Sequence, residues 1–254
     1  MTKRSPLPQP RRPPKTKAPD LLDAVILGAI AVLFFGAVAQ SAVGLGFGLV
    51  SLPFLVMLMG PHQAIRTMIL LALPLALLIL VRDRSGLRAR EAGLLYLPAG
   101  TVILLLGPIV RDAPQAFLAV AAGVFTLLAV SLLALGVRSK WLGGTIGAFL
   151  AGVVSGAMNV VSGIGGPPAA LYAVNAGWTP SSIRPTLNMY FILIGTTTLL
   201  TLGLPEIRPI LLSGVVAGWF AGGILAARVK EALLRNAVLA VAAVGGILAI
   251  AGAI

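Results

Sequence analysis

The chain has 254 residues, of which 58% are hydrophobic and only 10% charged, and its mean hydropathy is +1.03. A soluble domain carries about 25% charged residues, so this composition excludes an ordinary soluble fold. With no cysteine and a single histidine, His62, disulfides and thiolate metal sites are excluded and a histidine-based metal site is disfavoured; no cofactor or metal is expected.

The formal net charge of +12 would suit nucleic acid, but its placement argues otherwise. The basic residues flank long apolar runs, as they do where they mark the cytoplasmic side of membrane spans. Between Ala24 and Val81 the sole formal charge is Arg66, and none occurs from Trp141 to Ile183. Such stretches reach the roughly 20 residues needed to cross a hydrocarbon core. The expectation is a polytopic all-α membrane protein, with the lipid bilayer as partner and no nucleic acid.

Residues 1–20 hold six Lys/Arg and six prolines, a tail that cannot bury a core and is expected to be disordered. It would hold the N-terminus in the cytoplasm. Ala37-Val38-Ala39 has the small-residue form of a signal-peptidase site, but the residues that follow belong to a repeat, so cleavage is not expected. The first span covers Leu22 to Ala42. A glycine-rich stretch follows, Gly44-x-Gly46-x-Gly48, then a short apolar piece, Leu49 to Met59, ended by Gly60-Pro61. Spans at Ala64 to Val81, Ala92 to Val110 and Gln115 to Gly136 complete a first half, residues 21–137. The second half, 138–254, repeats the order. Trp141 to Val161 is a span, Gly163 to Pro168 interrupts it, and Ala169 to Ala176 is a short piece. Spans follow at Arg184 to Leu202, Pro209 to Ala227 and Ala232 to Ala253.

Glycine costs about 1 kcal/mol in a helix interior and proline removes a backbone donor, so helix breaks are expected at both clusters. In a bilayer, broken backbone is tolerated where protein buries it or where it lines a water-filled cavity. A shift of 119 residues places Gln40 on Asn159, Gly44 on Gly163 and Gly46 on Gly165; with one gap, Pro61…Ile65-Arg66 meets Pro180…Ile183-Arg184. That recurrence points to duplicated halves, a common transporter plan. Leu49 to Met59 rises about 16 Å, half a bilayer, and reads as a re-entrant half-helix. Eight full spans then place 13 Lys/Arg inside and 6 outside, whereas ten spans place 9 against 10. The positive-inside rule favours eight spans, both termini inside and parallel repeats, with the Arg228–Arg235 cluster misplaced in either arrangement.

The Gly-x-Gly-x-Gly…Leu-Pro stretch of the first half and the Ser-Gly-Ile-Gly-Gly-Pro stretch of the second resemble the TauE/SafE family, the sulfite-exporter-like or sulfonate permease family of bacterial membrane proteins. The similarity runs from about residue 22 to the end. It implies a duplicated bundle of seven to eight spans in the bacterial inner membrane that moves small organic or sulfur-containing anions such as sulfite or sulfonates.

An anion at depth needs compensation, and three sources are visible. Gly44, Gly46, Gly48, Gly163, Gly165, Gly166 and Pro167 mark breaks that expose backbone N–H groups beside helix N-termini. Gln40, Ser41, Asn159 and Ser162 offer neutral donors. Arg66 and Arg184 offer bidentate pairing with oxyanions. Asn188, with Tyr172 and Tyr190, stands in second line. Each has a plainer role open to it: helix packing for the glycines, interhelical hydrogen bonding for Gln40 and Asn159, snorkelling for the arginines.

All seven carboxylates lie at span ends or in loops, which argues against tight H⁺ or Na⁺ coupling. An interior-negative potential favours exit of a monovalent anion by about 2.3 kcal/mol per 100 mV, so the expected activity is export by alternating access. The alternatives are a channel-like facilitator and a non-transporting assembly factor. No Ser-His-Asp set, HExxH or mid-span aspartate pair is present, so no catalytic residue and no enzyme activity is expected. Association into a homo-oligomer is left open.

Overall fold

The computed structural model describes residues 21–136, 138–206 and 208–253; the basic tail at 1–20 and the half boundary at Val137 lie outside them. All regular structure among the described residues is helical. The helices are α1 (Leu21–Val43), α2 (Phe47–Met59), α3 (Pro61–Arg82), α4 (Ala89–Arg111), α5 (Gln115–Leu135), α6 (Thr145–Ser162), α7 (Gly166–Asn175), α8 (Pro180–Leu202), α9 (Leu211–Arg228) and α10 (Glu231–Ala251). Eight of them, all but α2 and α7, are long and apolar enough to cross a membrane. They follow the charge-poor runs of the sequence. Pro61 and Pro180 open α3 and α8, where a missing N–H costs nothing and the fixed φ suits the first turn. Large apolar side chains point outward: Leu97, Leu105, Ile109, Leu200 and Phe220 are each more than half exposed, a surface suited to lipid tails and not to water.

The helices alternate in direction. α2 folds back along α1: Ser51 Oγ donates to the Val32 carbonyl at 3.3 Å, and Gly28 lies beside Leu58. α3 then runs parallel to α1, because Arg82 at its C-terminal end donates to both the hydroxyl and the carbonyl of Ser41. A re-entrant α2 would enter and leave at one face and set α1 and α3 antiparallel, so that expectation is corrected. The joint explains why. Gly60 alone separates Met59 from Pro61, leaving no extended segment to carry the chain back. α7 likewise turns back from α6, and its last residue, Asn175, accepts from Ser139 N at 2.7 Å in the loop before α6. The first five helices thus run in alternating directions and the last five alternate in the opposite sense. The short legs, of 13 and 10 residues, rise about 20 and 15 Å.

Glycine spacing sets the closest helix pairs. In α9, Gly214, Gly218 and Gly222 lie against the carbonyls of Ile30, Phe34 and Val38 in α1, where an added Cβ would come within 2.6 Å of an oxygen. In α6, Gly152 and Gly156 lie against the carbonyls of Leu95 and Ala99 in α4. Without a hydrophobic drive between helices in lipid, such close backbone approach supplies the packing.

Candidate functional site

The two glycine clusters, 119 residues apart in sequence, meet at the middle of the bundle. A cavity of about 70 Å³ lies there, lined by Gln40 and Leu45–Leu49 from the first turn, Asn159 and Gly163–Pro167 from the second, and the central parts of α3 (Met68, Ile69, Ala72) and α8 (Phe191, Ile194, Gly195). That volume holds a few water molecules or a comparably small solute.

At the first turn α1 ends at Val43 and α2 begins at Phe47. Gly44 has φ +86° and Gly46 φ +129°, a region closed to ordinary L-residues. The side-chain oxygen of Gln40 accepts from Phe47 N at 3.2 Å, and its amide nitrogen donates to Asn188 Oδ1 at 3.3 Å. Asn188 in turn donates to the Arg184 carbonyl. Val50 N returns to the Gly46 carbonyl. The first N–H groups of a helix have no intrahelical acceptor, so Gly48 and Leu49, both on the cavity, present theirs at the N-terminal end of α2.

At the second turn the sequence placed Pro167 and Pro168 in the break. They instead form the first turn of α7, and the interruption is confined to Gly163–Gly165. Proline is preorganised for that position, which is why the helix resumes there. Of the first four residues of α7, only Gly166 and Ala169 carry an N–H. Gly163 is left-handed, φ +70°, and its N–H donates to the Asn159 carbonyl at 2.7 Å. Gly165 has an ordinary φ of −89°; space is what requires glycine there, since a Cβ would lie 2.9 Å from Asn159 Cβ and from Ile194 Cδ1.

The other named residues are placed as follows. Ser162 Oγ donates back to the Met158 carbonyl, and Ser41 Oγ donates to the Trp219 carbonyl at 2.9 Å. Arg66 turns along its own helix, its Nε donating to the His62 carbonyl. Arg184 donates to the Ala42 carbonyl at 2.7 Å. Ser41, Gly44, Ser162, Asn188, Arg66 and Arg184 do not line the central cavity. Sequence reasoning missed Ser155, Thr198 and Arg82. Tyr190 Oη donates to Ser155 Oγ at 2.6 Å, and Ser155 Oγ donates to the Gly165 carbonyl, a buried chain that fixes the second turn. Asn159 Nδ2 donates to Thr198 Oγ1 at 2.8 Å. Polar residues inside apolar helix runs were the available signal.

Among the described residues no ionisable side chain lines the cavity; its polar side chains are Gln40 and Asn159. Both α2 and α7 begin at it, so the positive ends of two helix dipoles face the space. The opposing negative end of α1 is covered, because the Ser41 and Ala42 carbonyls accept from Arg82 and Arg184. The C-terminal end of α6 meets the same space, with the Gly163 carbonyl lying against Gly48. The N–H groups that start α2 and α7 can hold a small anion there by hydrogen bonding, without a fixed counter-charge.

An outward apolar belt, eight long apolar helices and a hollow at mid-length define a multi-pass integral membrane protein. Within that class, residues 29–249 match the family described as sulfite exporter TauE/SafE, and the chain belongs to that family of membrane transporters. No curated protein matches the chain. No solved structure matches it either.

Proposed function

We propose that the protein is a secondary transporter that exports small sulfur-containing or organic anions, of the sulfite or sulfonate kind, by alternating access around the central cavity. The observation that carries this reading is that both glycine turns, remote in sequence, line one cavity at mid-bundle. Two helix N-termini meet an anion there, and a lining without a carboxylate among the described residues suits a negative solute. The halves 21–137 and 138–254 are read as inverted repeats, supported by their opposite helix directions and by the recurring amide-glycine order. In this reading Gln40, Gly46, Gly48, Asn159, Gly163, Gly165, Gly166 and Pro167 touch the solute, and Ser41, Gly44, Ser162 and Asn188 hold the turns.

The test is flux in proteoliposomes. Sulfite or a short sulfonate should move in a saturable manner, and unlabelled anion on the far side should accelerate it. Linear, non-saturating flux would mean a channel-like facilitator, and no flux of any tested anion would leave an assembly role. Orientation in the inner membrane needs its own measurement. With ten alternating legs, the end where α1 finishes carries ten Lys/Arg and the other end three, plus six in the tail. The charge count that placed the N-terminus inside rested on eight crossings and no longer decides. Reporter fusions at the C-terminus and in the Arg84–Arg88 loop settle it by activity on opposite sides.

A further inference from the structure

A second space lies directly beyond the first turn. It measures about 450 Å³ and is lined by Val43, Arg82, Asp83, Ser85, Ser181 and Arg184, among others. Val43 borders this outer pocket while Leu45 and Gly46 border the central cavity, so the turn at Gly44 is the partition between them. Two guanidinium groups converge on that partition. Arg82, the last residue of α3, donates to Ser41 Oγ at 3.1 Å and to the Ser41 carbonyl at 3.2 Å. Arg184, one turn into α8, donates to the carbonyl of the next residue, Ala42. A side chain at Gly44 would sit 2.9 Å from Arg184 Cγ; glycine is what lets the arginine lie across the turn. One carboxylate faces them, Asp83, whose Oδ1 lies 3.0 Å from Arg82 Nε.

Arginine carries five N–H donors in a planar fork. In Arg82 four are taken, two by Ser41 and two by the Asp83 carboxylate, at 3.0 Å from Nε and 3.2 Å from Nη2. What an anion meets is the remaining Nη1 hydrogen of Arg82, the donors of Arg184 beyond its Ala42 bond, and the Arg82 edge that Asp83 would give up. The hydroxyl-bearing Ser85 and Ser181 share the same wall. Two fixed cations against one carboxylate, with hydroxyl donors beside them, make a receiving site for tetrahedral or trigonal oxyanions. We propose that the Arg82–Arg184 pocket is an outer oxyanion-binding site, separate from the central cavity, at which the solute waits before or after it passes the Gly44 turn. Arg66, by contrast, is bonded to its own helix. This inference rests on the transport reading for its purpose and on the pocket alone for its existence.

The test is calorimetric titration of the purified full-length protein with sulfate and with sulfite at fixed ionic strength. Arg82→Gln should weaken binding about fivefold or more, and Asp83→Asn, which removes the competing carboxylate, should tighten it at least twofold. A purely structural cap predicts no tightening in Asp83→Asn. Unchanged affinity in both variants, with far-UV dichroism and gel filtration like the wild type, overturns the site. If Arg82→Gln fails to fold, Asp83→Asn decides alone, and unchanged or weaker binding overturns the proposal. Wild-type protein that binds with this pattern but moves no anion in liposomes defeats the transport reading and leaves the pocket standing. Wild-type flux with neither variant altered does the reverse.

Discussion

The two glycine turns line one cavity and are built by opposite means. The first is held by side chains from a distance: Gln40 seats Phe47 N, Arg184 lies across Gly44, and Arg82 grips Ser41. Two of its glycines have positive φ, and its helix start offers unfilled N–H groups. The second is held from within. Two prolines set its helix start, the Tyr190–Ser155 chain clamps Gly165 from inside the bundle, and one glycine alone is left-handed. Charge and donors gather at the first turn, whereas stiffness gathers at the second. Two turns on one cavity therefore need not do the same work, and the first turn is where solute contact should be most sensitive to change.

The largest effect is expected from Gly46→Val. Its backbone at φ +129° and a Cβ about to meet Ala39 Cβ at 3.0 Å leave no room, and liposome flux should fall by about a hundredfold or more, the 1–3 kcal/mol backbone strain adding to the overpacking. Retained flux would remove the first turn from the pathway. Next, Gln40→Leu leaves Phe47 N unsatisfied, about 1–3 kcal/mol, and should raise the half-saturation for anion roughly tenfold; Asn159→Leu should raise it less. A reversed order, read from initial rates, would assign the solute to the second turn. Tyr190→Phe removes one buried donor and should lower stability by about 1 kcal/mol in detergent melts with little change in half-saturation. The smallest effect belongs to Pro168→Ala, which loosens the unfolded chain and should cost about 0.4–1 kcal/mol. If Pro168→Ala impairs flux more than Gln40→Leu, the comparison fails.

Helix content and the eight long spans were legible because charge is confined to span ends: a run such as Trp141 to Ile183, with no formal charge, admits few structures other than buried or lipid-facing helix. The matching family was legible for a related reason, since glycines forced into interrupted helices leave a spaced pattern. Direction was not legible. A short apolar piece of eleven residues reads equally well as a half-helix that turns back and as a leg that continues, and the deciding feature is the one-residue joint at Gly60. Arg82 was overlooked because an arginine closing a span beside Asp83 resembles any headgroup anchor; only the fold brings it to Ser41, 41 positions away. Ser155 and Thr198 were silent for want of a partner, which lies on another helix in each case. The close α1–α9 contact rests on Gly214, Gly218 and Gly222 at intervals of four, a spacing that marks a packing face but does not name the helix that fills it.

The neutrality of the central lining reaches as far as acid–base behaviour. With Gln40 and Asn159 as its polar side chains and no titratable group on its wall, the hollow itself has nothing to protonate between acid and alkaline solution. A bend in rate against pH that persists in Asp83→Asn, where the outer pocket has lost its carboxylate, then reports the cargo's own acidity. A sulfonate, ionised throughout, should give a flat curve, while a weak oxyacid should give a step at its own dissociation constant, so the shape of that curve identifies which ionic form is carried.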